Sequence, residues 1–131
     1  MAGKDDTFEY GYNHIFIKLF TMDLKEYCEQ HLNLTRVKNV SGHFEIPSGY
    51  DSWLDYWEKK MGQTAIQCAK VGCKTSNDLE GGHVYKEGDG VNIYLIPICY
   101  DHNHYSNVDY FNVPSDKLLF VPKKDLKPVK D

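Results

Sequence analysis

The sequence predicts an α+β fold in which N-terminal helices pack on a small zinc-stabilised module made of a β-hairpin followed by a helix. Three observations carry this expectation. Two close pairs of metal-ligand residues occur, Cys68/Cys73 and Cys99/His102. An apolar run from Val91 to Ile98 leads directly into the second pair, and upstream segments repeat apolar residues at helical spacing.

Residues 1–7 are polar. From Tyr10 to Phe20, alternation puts Ile15, Ile17 and Leu19 on one side, while Ile15, Phe16, Leu19 and Phe20 make an equally good helical face, so strand and helix both stay open. Asp23 reads as an N-cap with Glu26 three residues on. Leu24, Tyr27, Cys28, His31 and Leu32 follow at helical spacing, and the helix is expected to end near Asn33. Residues 39–50, with Ser41-Gly42 and Pro47-Ser48-Gly49, form a connector. A second helix then starts at Asp51 or Ser52. Its apolar face is Trp53, Leu54, Trp57 and Met61, Lys59 and Lys60 suit the negative end of its dipole, and Gly62 ends it. The two tryptophans are read as core anchors.

Beyond that helix the pattern changes to short strands. Thr64–Cys68 and Gly82–Tyr85 are strand-like, residues 87–90 (Glu-Gly-Asp-Gly) read as a turn, and Val91–Ile98 reads as a strand. A helical continuation from Cys99 through His102 to Asn107 and a closing strand at Leu118–Val121 complete the module. The expected organisation is an N-terminal part at 1–63, a metal module at 64–122 and a polar tail at 123–131, within one compact domain. Lys123, Lys124, Lys127 and Lys130 are diluted by Asp125 and Asp131, which reads as a solvated tail.

Thiolates and an imidazole in two close pairs are the donors of a tetrahedral zinc site. Four residues separate Cys68 from Cys73, with Gly72 allowing the chain to turn back, and two separate Cys99 from His102. Zinc binding in finger-like peptides is worth an apparent ~10–16 kcal/mol, enough to decide whether residues 64–122 fold. The competing readings are reduced core cysteines and a disulfide, and His83 competes with His102 for the fourth position. Cys28 and His31 form only half of such a set and read as core packing; His14 and His43 suggest no chemistry.

Composition narrows the partners. The 131 residues carry a formal net charge of −4, and Arg36 is the only arginine among fifteen basic residues, so affinity for nucleic acid would have to be local. Tyr94, Tyr100, Tyr105 and Tyr110 could stack on bases but also suit amphipathic core edges. No apolar run approaches the ~20 residues of a membrane span, and the first residues lack the apolar stretch of a signal peptide, so a cytoplasmic protein without a membrane association is expected.

Between the ligand pairs stands Glu80-Gly-Gly-His83-Val84, and after them come Asn103 and His104. The order Cys-x4-Cys, Gly-Gly-His-Val, an apolar strand and Cys-x2-His-Asn resembles the HNH nuclease family and its treble-clef zinc relatives over about residues 64–107. That resemblance implies a ββα module with a structural zinc on Cys68, Cys73, Cys99 and His102. It also implies a catalytic set of His83 as general base, Asn92 orienting it, and Asn103 beside a catalytic Mg²⁺ or Mn²⁺. Where the family often carries an acid or second histidine beside the base, this chain has Gly82, and Asp101 or His104 could assist Asn103. Two functions are expected from these readings: metal-dependent hydrolysis of nucleic-acid phosphodiesters, or a non-catalytic zinc module that binds protein or nucleic acid.

Overall fold

The computed structural model describes residues 33–104 and 106–130. The Tyr10–Phe20 segment, the helix expected from Asp23, and His14, Cys28, His31 and Tyr105 lie outside the described residues. Within them the chain forms β1 (Leu34–Asn39), α1 (Trp53–Met61), β2 (Leu79–Lys86), β3 (Asp89–Cys99), a short α2 (Tyr100–Asn103), β4 (Phe111–Pro114) and β5 (Leu119–Val121). Three-residue 3₁₀ turns sit at Ser115–Lys117 and Lys123–Asp125. The strands make one sheet in the order β4-β1-β2-β3-β5, with β1/β2, β2/β3 and β3/β5 antiparallel. No helix among the described residues is long and apolar enough to cross a membrane.

The expected second helix forms as its end signals require. Ser52 is the N-cap, its hydroxyl accepting from the Asp55 N–H at 2.9 Å, and Gly62 closes the helix at φ 69° while donating to the Glu58 carbonyl. The buried face is Trp53, Tyr56 and Trp57; Leu54 is only half-buried. Tyr56 earns its place through its hydroxyl, which donates to Asp125 at 2.7 Å.

Thr64–Cys68 is not a strand. The Ala65 N–H is taken by the Glu58 carboxylate at 2.8 Å and the Cys68 N–H by the Thr75 carbonyl at 2.8 Å, so this backbone is used in loops rather than in a ladder. The helix after Cys99 also stops at Asn103 instead of reaching Asn107, because His104 is extended at φ −65°, ψ 143°. Nor is the expected tail solvated throughout. Leu126 packs with the α1 cluster, the Glu45 N–H donates to the Lys127 carbonyl, the Val129 N–H donates to the His43 carbonyl, and Phe44 bridges Pro128.

Side-chain alternation divides the core between the two faces of the hairpin. Val84, Ile96 and Ile98 join Val37, Val113, Cys68 and Cys99 on one side, and Leu95 joins Val121, Trp53, Tyr56 and Trp57 on the other. The Gly81-Gly82 pair sits where both layers come closest to β2. A Cβ at Gly81 would lie 2.7 Å from the Trp53 carbonyl carbon and 2.8 Å from the Leu54 nitrogen; one at Gly82 would lie 2.4 Å from Ile98 Cδ1 and 2.9 Å from Asn103 Oδ1. The α1 backbone cannot give way as a flexible side chain can. Gly81→Ala is therefore expected to destabilise the protein by about 1–3 kcal/mol, the usual range for overpacking, as read by denaturant unfolding. A neutral substitution would show that α1 does not rest on β2 this closely.

Candidate metal centre and the groove beside it

Two local structures bring the predicted ligands together. The first is the loop around Cys68 and Cys73, closed by the Cys73 N–H donating to the Lys70 carbonyl at 3.0 Å and turned by Gly72 at φ 92°. It is fastened to the sheet by the Ala69 N–H on the Pro97 carbonyl and the Val71 N–H on the Asn112 carbonyl, each 2.9 Å. The second is the junction of β3 and α2, where Cys99 is the last strand residue and His102 comes one helical turn later.

The ligand atoms of Cys68, Cys73, Cys99 and His102 all lie within 4.8 Å of one another. His102 points Nδ1 inward, 3.2 Å from Cys99 Sγ and 3.6 Å from Cys68 Sγ. Tetrahedral zinc with ordinary Zn–S and Zn–N bonds places sulfur and nitrogen ligands ~3.6 Å apart, so the spacing fits that ion, and three sulfurs with one imidazole are a donor set it favours. The three cysteines form no disulfide. Burial pushes the Cys68 thiol up to about 11, whereas hydrogen bonds from Thr75 hold Cys73 below the ordinary thiol value. A coordinated cation would deprotonate both. The fourth member of this Cys3His cluster is His102, not His83.

His83 lies on the α1 face, its ring centroid 4.4 Å from that of Trp53 and 4.8 Å from that of Phe44. Its Nε2 is buried with no hydrogen-bond partner. Burial lowers its pKa to about 4, so the folded protein keeps a neutral ring in neutral solution. The unfolded chain takes up this proton below about 6.5, so the stabilisation is fully present above that pH and is lost as pH falls towards 4. Zinc-loaded wild type is expected to lose about 2 kcal/mol relative to His83→Phe between pH 7.5 and 5, measured by paired denaturant titrations. Metal competition with protons cancels, because the two proteins share all four cluster residues. An unchanged difference would show that His83 is solvated.

The other two residues of the expected catalytic set stand elsewhere. Asn92 is exposed near the β2/β3 turn, where its main-chain N–H and its side-chain amide both donate to Asp89. Asn103 donates from Nδ2 to Glu80 Oε1 at 2.8 Å. Alternation along β2 sends Glu80 to the face opposite His83. A groove of about 880 Å³ wraps over the β2 edge between these faces and is lined by His83, Glu80 and Asn103, together with Asn39, Phe44 and Trp53; Asn92 is not part of it. Asn39 ties the groove wall to the segment that carries His102, donating from Nδ2 to the His102 carbonyl at 2.8 Å and the Asn107 carbonyl at 3.2 Å. Sequence reasoning gave Glu80 no role of its own and missed Asn39 and Phe44, which carry no spacing signal; the three line the groove only through the fold.

No protein-family model matches the chain, and neither a curated protein nor a solved structure matches it.

Proposed function

We propose that the Cys3His cluster holds a structural zinc ion, and that the domain it fixes is a non-catalytic binding module for a protein or nucleic-acid partner. The order β2, β3, α2, with one ligand pair ahead of the hairpin and the other at its exit, supports a treble-clef-like ββα arrangement. The observation that carries the binding reading over catalysis is the separation of the expected catalytic residues. Asn92 is committed to Asp89 at the hairpin turn, and Asn103 is committed to Glu80 across the strand from His83. Nothing in that arrangement orients the His83 ring with an amide.

A second reading, phosphodiester hydrolysis of the HNH type, is favoured by one specific feature: a neutral His83 whose Nε2 has no partner and which lines a groove shared with Glu80 and Asn103. Once a substrate or water reached this buried nitrogen, it would accept a proton. Asn103 and Glu80 would hold a divalent ion such as Mg²⁺ or Mn²⁺, which when bound supplies charge stabilisation at phosphorus.

Plasmid nicking in Mg²⁺ and Mn²⁺ separates the two. The binding module predicts no nicking by wild type or by His83→Ala. Nicking by the wild type that disappears in His83→Ala, with zinc content unchanged, would establish the nuclease instead.

A further inference from the structure

Strand β1 leaves β2 early. The Val40 N–H donates to the His83 carbonyl at 2.9 Å, and the chain then bends away through Ser41 and Gly42, whose φ is 101°. Among the described residues, the rest of β2, towards Leu79, therefore borders the groove rather than another strand.

The register shows which main-chain groups face that groove. Gly81 is paired with Pro97, which has no N–H, and the Pro97 carbonyl accepts from Ala69 instead. Gly81 thus makes no ladder bond to β3, and its N–H and C=O point to the opposite edge. By the same alternation so do those of Leu79, two residues away. Donor and acceptor alternate along this edge over ~7 Å from Leu79 to Gly81, at about 3.3 Å per residue, up to the His83 carbonyl that Val40 already uses. An extended polypeptide matches both kinds of group. A phosphodiester backbone offers acceptors alone and would leave the strand carbonyls unmet.

The two rims specify the side chains. Towards α1, His83 Nε2 is a buried polar atom of the groove lining without a partner. Small hydroxyl or amide side chains would satisfy such an atom. Towards α2, Glu80 spends Oε1 on Asn103 and keeps its second oxygen for a cation, in a chain of net charge −4.

We propose that the groove receives an extended, basic polypeptide segment that adds as a strand to the outer edge of β2 at Leu79 and Gly81, with hydroxyl or amide side chains towards His83 and lysine or arginine towards Glu80. This assignment rests on the binding-module reading and names the partner class of the same site.

The test uses zinc-loaded full-length protein and synthetic octapeptides alternating Thr with Lys, with scrambled peptides of the same composition. The alternating peptide is expected to bind about tenfold more tightly than the scrambled ones, to slow hydrogen exchange at the Gly81 and Leu79 amides, and to lose binding when alternate peptide nitrogens are methylated. Glu80→Gln, which keeps the oxygen that Asn103 uses, should erase most of the preference. Equal binding of scrambled peptides, unprotected Gly81 and Leu79 amides, or protection of Gly81 by oligothymidylate instead of peptide would each overturn the proposal. Zinc content measured on the same sample keeps a failure of the peptide assignment distinct from a failure of the metal centre.

Discussion

Cys73→Ser protein is expected to lose its metal and its cooperative unfolding transition, as wild type should when stripped by a strong chelator. Cys73 is the informative ligand because it is only half-buried, whereas Cys68 and Cys99 are 1 % and 4 % exposed and would disturb packing if replaced. If the cysteines were merely small apolar residues, Cys73→Ser would cost well under ~1 kcal/mol, the scale of a surface change. As a zinc ligand it forfeits much of an apparent ~10–16 kcal/mol, against a total stability that for domains is usually ~5–15 kcal/mol. The loop from 68 to 75 is otherwise held by a few main-chain hydrogen bonds, so α2 and the exit of β3 should loosen with it. Circular dichroism melts of wild type, Cys73→Ser and chelated wild type check this directly. Superimposable melts would sink the metal reading.

Trp57→Ala should cost about 3–5 kcal/mol, the range for truncating a large buried aromatic residue. The side chain is 1 % exposed, packs with Leu95 and Val121 beneath α1, and donates from Nε1 to the Lys117 carbonyl at 2.8 Å. Its removal opens a cavity and strands that carbonyl, two costs that add. Trp57→Phe should recover much of the packing but not the hydrogen bond, and so fall between wild type and Ala. Denaturant midpoints of the three proteins give the ranking, and a loss below ~1 kcal/mol for Ala would mean that α1 does not cap this face of the sheet.

What the sequence disclosed was local chemistry. The cap at Ser52, the stop at Gly62, the hairpin turn and the two ligand pairs are each written within a few residues, and each forms. Strand β1 was illegible because Leu34–Asn39 buries only Thr35 and Val37 between Arg36 and Lys38, too few apolar positions to outweigh its charge. Strand β4 was illegible for a different reason: at four residues ending in Pro114 it is too short to show an alternation. Tyr56 was missed in favour of Leu54 because its burial depends on Asp125, 69 residues away. The choice between His83 and His102 lay beyond spacing altogether: alternation along β2 turns His83 towards Trp53, while the first turn of α2 aims His102 at the sulfurs. The Gly81-Gly82 pair, easily read as a motif around a catalytic histidine, has a packing cause on both of its faces.

The most direct test of the central claim is metal analysis by mass spectrometry of protein purified without added metal and without chelator. One zinc per chain, absent from Cys73→Ser prepared in parallel, is the predicted result. A wild-type chain that is folded and carries no zinc would contradict the account.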